Sequence, residues 1–310
     1  MTQLPLQPIE PTEPVGLAEP PGQPQTPLGR LAATLPGFRR LRASGTALPL
    51  GLGLLGFLVL ISVTSPLWTP YAPGATGTGL FSAPPSGAHW FGTDSVGSDV
   101  FSRTVAAGRT DVLYTLTVVA LALLVGSVWG ALVGFFGGWL EWATLRLLEV
   151  LQAFPALLMA LFIISIVGPG TFKVILVAAI IPLPDFVRLA RAEVLTKKNW
   201  QFAEAARMVG NRPAVVLFKH LVPNSSRPLL AYASVSAAWV VGNIAALGYI
   251  GLGIQPDAVE WGSMIARGQS DVVSGAWWES FFPGIGILLL AIGFQLVGDG
   301  LSSRNRGEHR

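Results

Sequence analysis

The chain has 310 residues, 51% of them apolar and only 12% charged, where a soluble domain carries about 25% charged residues. That is too few charges to cover a soluble core of this length, which excludes a soluble enzyme, a nucleic-acid binder and a disordered chain. The net charge of +3 is too small to attract nucleic acid, and the absence of cysteine removes any disulfide framework, thiolate metal site or cysteine nucleophile.

Residues 1–45 read as a disordered cytoplasmic tail. Met1 to Thr26 is rich in Pro, Gln and Glu without apolar periodicity, and it lacks the basic start and apolar core of a signal peptide. Arg30, Arg39, Arg40 and Arg42 then form a basic juxtamembrane cluster that would hold this side in the cytoplasm. From residue 46 to 302 the chain reads as an all-α polytopic membrane domain. Asp, Glu, Lys and Arg are missing between Asp111 and Glu141, Glu149 and Lys173, Arg227 and Asp257, and Glu279 and Asp299. A helix needs roughly 20 apolar residues to cross the hydrocarbon core, so each gap can hold a span. With the run after the basic cluster and a weaker, proline-interrupted run carrying Lys173, Asp185 and Arg188, six transmembrane helices are expected. They lie at about 47–65, 112–137, 146–168, 171–191, 228–253 and 280–300. The charges of the weak run sit near its ends, where long side chains reach the interface.

Six spans place the 192–227 connection and the 303–310 tail on the same side as the amino terminus. The connection carries Lys197, Lys198, Arg207, Arg212, Lys219 and Arg227, and the tail Arg304, Arg306 and Arg310. All three basic clusters then share the cytoplasmic face.

No catalytic constellation stands out. His89, His220 and His309 are far apart in sequence, so no metal cluster is expected. The span centres hold Asn243, Gln152 and Gln295, better read as helix–helix hydrogen bonds than as a proton path. There is no Gly-Lys pair and hence no phosphate loop, so any ATP would be bound by another chain. A secondary transporter acting alone would call for buried ionisable groups or broken-helix repeats, and an intramembrane enzyme for a catalytic pair.

The cytoplasmic connection is the most informative stretch. Gln201 to Gly210 favours a short helix with Ala203, Ala206 and Val209/Gly210 on one face, charges on the other, and Gly210 as a left-handed C-cap. A second short helix, about Pro213 to His220, would stop before Pro223. By composition alone this is an amphipathic helix on the membrane surface.

The spacing of Glu204, Ala205, Ala206, Gly210 and Pro223 resembles the EAA loop of ATP-binding-cassette (ABC) importer permeases. Phe202 and His220-x-x-Pro223-Asn224 are similar to its dipeptide and oligopeptide branch. His89-Trp-Phe-Gly-Thr-Asp94, Phe136-Gly-Gly-Trp139, Ala153-Phe-Pro155, Gly168-Pro-Gly170, Gly251-Leu-Gly253, Trp261-Gly-Ser-Met264, Phe282-Pro-Gly284 and Gly298-Asp-Gly300 resemble that branch in the same order. Together they suggest the second permease of the pair, of DppC/OppC-like type.

The resemblance implies the type I ABC importer permease fold and a multi-pass cell (inner) membrane subunit. Its implied partners are a homologous permease (DppB/OppB-like), two ABC ATPase subunits, an extracytoplasmic solute-binding protein and the bilayer, with no nucleic acid. This chain would bind no cofactor, ATP and Mg²⁺ being used by the partner ATPases. Phe202, Ala203, Glu204, Ala205, Ala206, Arg207, Gly210, His220 and Pro223 would form the coupling element, with Ala205 and Ala206 small enough for close packing at the dock. Peptides would be the cargo, although relatives in the branch also move nickel chelates and other small solutes. The chain departs from many relatives at Ser98, at Ile244 and at Pro182-Leu-Pro184-Asp185. The last two fall in spans expected to line the path, to which Asn243, Ile244 and Asp185 are assigned.

Overall fold

The computed structural model describes residues 46–252 and 259–307, with side chains to residue 303. The expected tail over 1–45 with its arginine cluster, Gly253, Arg310 and the side chains of Arg304 and Arg306 lie outside what is described. Among the described residues the chain is helical, and its one isolated β-bridge joins Thr93 to Asp99.

Helix α1, Ala47–Thr64, ends in a 3₁₀ turn, Ser65–Leu67, started by Pro66. Residues 68–99 form an irregular cap, and α2 then runs without interruption over Val100–Phe136. Asp99 caps α2 by accepting from the Ser102 backbone N–H at 2.8 Å and its hydroxyl at 2.7 Å, satisfying donors that a helix start leaves open. α3, Gly138–Gln152, and α4, Ala156–Val167, meet at Ala153-Phe154-Pro155 with a bend of 93°. α5, Thr171–Ile180, and α6, Leu183–Lys197, are separated at Pro182. The loop helix α7 spans Gln201–Met208, and α8 covers Pro213–Tyr249. α9, Trp261–Val272, and α10, Trp278–Gly307, complete the order.

Among the described residues four helices are long and apolar enough to cross a membrane: α1 with its 3₁₀ turn, α2, α8 and α10, and a fifth is obtained if bent α3–α4 counts as one. The expectation of six single spans is therefore met only in part. The stretch expected over 171–191 is a pair of short helices, because Pro182 and Pro184 supply no N–H to continue the ladder. α6 also runs on to Lys197, beyond the expected end of that span.

α2 packs along α6, and α8 and α1 pack against α10. The α2–α6 contact is set by Gly126, Gly130 and Gly134, one residue per turn on one face of α2. A Cβ on Gly130 would run into the Val187 carbonyl oxygen, and one on Gly134 would lie 2.7 Å from the Arg191 carbonyl oxygen. Small residues four apart let two backbones approach, which is how helices associate where water supplies no hydrophobic drive. The glycines advance with the α6 numbering, so both helices run toward the same end of the bundle, where α7 lies.

Candidate functional site

At that end a separate apolar cluster fixes the loop. Ala203 and Ala206 of α7 are buried against Val216, Leu217 and Leu221 of α8, Val194 of α6 and Ala131 of α2, with Phe202 partly buried beside them. Gly210 adopts φ +83°, and its N–H bonds to Arg207 O at 2.9 Å while Asn211 N–H bonds to Ala206 O at 3.3 Å. This pair of bonds is a Schellman ending, for which glycine is the least strained residue. The Asn211 side chain adds a 2.9 Å bond to the same carbonyl.

The outer face of α7 carries Glu204, Ala205, Arg207, Met208 and Val209. Ala206 shares the inner face with Ala203, as the periodicity predicts, so of the two small residues Ala205 alone is left facing outward. One sequence expectation needs correction. Val209 does not join the inner face: with φ −75° and ψ 0° it has left helical geometry, and it is 84% exposed beside Met208 at 85%. The sequence reading missed this exposed Met-Val pair. Two adjacent large apolar residues directly after Arg207, the last charged residue of α7, were the available signal.

The second short helix expected to stop near His220 does not stop. Val216–Leu221 widens into a π-helical turn and α8 continues through Pro223. Val222 N–H reaches back five residues to Leu217 O. Pro223 has no N–H and its ring would crowd the carbonyl four residues earlier, and the wider turn removes that conflict. His220 is half-buried there, its carbonyl accepting from Asn224 Nδ2 at 2.7 Å. Lys197 at the end of α6 bonds Glu193 at 2.7 Å and Asn224 O at 2.8 Å, tying α6 to α8 beneath the loop.

Of the path residues, Ile244 is buried in the main apolar core. Asn243 is half-buried, and its Nδ2 bonds back to Trp239 O at 3.1 Å. Asp185 sits elsewhere, in the first turn of α6. It receives Tyr232 Oη at 3.1 Å and Gln152 Nε2 at 3.3 Å, with Arg188 at 3.8 Å. Arg188 also bonds Gln152 Oε1. Because α6 extends to Lys197, Asp185 and Arg188 lie well inside this helix pair rather than at an interfacial end.

The opposite end is closed by the 68–99 cap. His89 Nδ1 lies 2.9 Å from Asp99 Oδ1, Phe91 stacks on Phe282 at 3.7 Å, and Trp278 Nε1 donates to Thr93 O at 3.1 Å. Glu260 is fully buried and caps α9 by accepting from Gly262 N at 2.8 Å and from Ser263 N. Burial raises its carboxyl above the ordinary range, while the Ser263 and Gly262 donors and nearby Arg267 pull it down. Trp261 N–H donates to Asp111 at 3.1 Å and its ring N–H to Thr104 O at 2.8 Å, locking α9 onto α2. Glu is not a favoured cap residue, so neither Glu260 nor Asp111 was marked by the sequence.

Long apolar helices, a closed cap at one end and an exposed, internally braced helix at the other define a multi-pass membrane permease subunit. Residues 126–307 match the family described as binding-protein-dependent transport system inner membrane component, and the chain belongs to it, as an ABC importer permease of the dipeptide and oligopeptide branch. It is similar to the probable D,D-dipeptide transport system permease protein DdpC of Escherichia coli (strain K12), 36% identical over 80% of this chain and 83% of the relative. It is also similar to the dipeptide transport system permease protein DppC of Alkalihalophilus pseudofirmus, 33% identical over 85% and 86%. The glutathione transport system permease protein GsiD of Pectobacterium atrosepticum is 33% identical over 79% and 83%.

Proposed function

We propose that this chain couples ATP hydrolysis in separate ATPase subunits to the import of dipeptides or short oligopeptides. The observation that carries the reading is the division of α7 into two faces. Ala203 and Ala206 fix one face to α2, α6 and α8, while Glu204, Ala205, Arg207, Met208 and Val209 are left for a partner. A helix braced this way transmits a push at its outer face to three membrane helices together.

In this reading the chain crosses the membrane six times, with α3–α4 and α5–α6 each making one broken crossing. The α7 end is cytoplasmic and docks on an ATPase, which alone binds ATP and Mg²⁺. A homologous permease completes the pathway, and an extracytoplasmic binding protein delivers cargo at the 68–99 end. Peptide cargo is supported by the relatives' names, which also include glutathione; a nickel chelate or another small solute is the alternative.

The test is co-expression with the partner subunits, purification through this chain, and uptake in vesicles. ATPases that copurify and ATP-dependent uptake of a dipeptide are expected. A chain that purifies without an ATPase and transports without ATP would overturn the reading.

A further inference from the structure

Two interrupted helices meet at one place in the bundle. Gln152 is the last residue of α3, at the 93° bend into α4, and Asp185 is in the first turn of α6, just past the Pro182 break. They are bonded to each other, to Arg188, and through Asp185 to Tyr232 of α8. At about 1.5 Å per residue Asp185 lies roughly 18 Å along α6 from Lys197, near the middle of a hydrocarbon core about 30 Å thick.

Both charges remain open there: the Asp185 side chain is 42% exposed and that of Arg188 38%. Facing lipid, each would carry a large insertion penalty at the bilayer centre. Broken backbone at membrane depth is tolerated only where it is buried in protein or lines a water-filled cavity. The exposed charges and the paired helix breaks therefore point to the same surface, a wet one. The ion pair is long, 3.8 Å, and Gln152 bonds both members. A carboxylate and a guanidinium held side by side, each with open surface, match a ligand that carries an ammonium and a carboxylate.

Resting on the importer reading above, we propose that Gln152, Asp185, Arg188 and Tyr232 form a zwitterion-binding constriction on the translocation path. Asp185 takes the ammonium of a passing peptide and Arg188 its carboxylate, while Gln152 and Tyr232 hold the two charged groups in place. The Asp–Arg pair exchanges for two ligand pairs and re-forms when the peptide leaves. Binding is thus strong enough for entry and weak enough for release, as passage requires.

The chain has no cysteine, so Gln152→Cys introduces one thiol whose labelling is read on this chain by mass in the assembled complex. A membrane-impermeant, hydrophilic thiosulfonate should label it in nucleotide-free vesicles. Millimolar alanyl-alanine should slow the labelling, and N-acetyl-alanyl-alanine amide, which lacks both charges, should not. Asp185→Asn should lower dipeptide uptake about tenfold, the loss of roughly 1.4 kcal/mol, in a complex that still copurifies with its ATPase subunits, and Asp185→Glu should restore most of it. No labelling in any nucleotide state means a lipid-facing or partner-covered cluster and overturns the proposal. Equal protection by the blocked peptide, or wild-type uptake by Asp185→Asn, overturns it as well. A wild-type complex without ATP-driven uptake defeats the importer reading instead, and the labelling and protection arms still decide the cluster.

Discussion

At the scale of single residues, the α7 loop separates groups that hold it from groups that are offered outward. Gly210 belongs to the first kind: its φ of +83° is what closes the Schellman turn, and no atom stands near where a Cβ would be. A side chain there is opposed by backbone strain of about 1–2 kcal/mol and by nothing else. Gly210→Val should therefore lower retention of the ATPase, and Gly210→Asn, which tolerates the left-handed region, should restore most of it; equal loss in both would show that space, not φ, matters. Met208 belongs to the second kind, and Met208→Glu removes an apolar contact without touching the inner cluster. A docking residue of this type is worth about 2 kcal/mol, so the variant should keep the wild-type melting temperature in detergent and lose most of its copurifying ATPase. Unchanged copurification would remove Met208 from the dock. The sequence made Gly210 legible because glycine has a specific backbone use. It misplaced Val209 because helical periodicity was carried one residue past the end of α7.

Among elements, the α2–α6 contact carries the testable consequence. Three glycines bring one backbone onto another, so Gly130→Leu has no flexible neighbour to displace: the obstacle is the Val187 carbonyl. Overpacking of this kind costs about 1–3 kcal/mol, and the thermal midpoint of the detergent-solubilised chain should fall. Gly242 in α8 has open space, with nothing within 4 Å of where a Cβ would sit. Gly242→Ala should leave the midpoint unchanged or raise it, since alanine is favoured over glycine in a helix by about 1 kcal/mol. Similar losses in both would assign the effect to glycine in general and not to the close approach. The long apolar helices were legible because charge-free runs of this length have few alternatives. The joints were not. Pro223 read as a helix stop by local sterics, yet tertiary packing by Val216, Leu217 and Leu221 keeps the chain helical, and a π turn absorbs the proline. The cluster of Gln152, Asp185, Arg188 and Tyr232 was equally hidden, since it joins residues from three helices across 33 to 47 positions of sequence.

For the whole molecule, the open question in the architecture is the segment from α3 to α6. α2 ends, and α6 ends, at the α7 end of the bundle: Ala131 and Val194 share the loop cluster, and Lys198 Nζ reaches Gly134 O at 3.5 Å. Residues 138–197 therefore leave that end and return to it. Four crossings with a re-entrant α3–α6, or six full crossings, place every basic loop on the same face, so the charge asymmetry that argues for an even number does not choose between them. Length does. At about 1.5 Å per residue α3 is roughly 22 Å long and α4 roughly 18 Å; bent by 93°, with each arm tilted about 45°, they rise roughly 28 Å, close to the 30 Å core. The Gly168-Pro169-Gly170 turn should then reach the extracytoplasmic surface. Single cysteines settle this in the cysteine-free chain. Ser86→Cys in the 68–99 cap and Pro169→Cys should both react with an impermeant thiol reagent added outside intact cells. Asn211→Cys beside α7 should react only after the membrane is opened. Labelling of Pro169→Cys only from the Asn211 side, or from neither, would make α3–α6 re-entrant and reduce the crossings to four. Labelling of Ser86→Cys and Asn211→Cys from one side would overturn the orientation itself, and with it the placing of α7 against an ATPase.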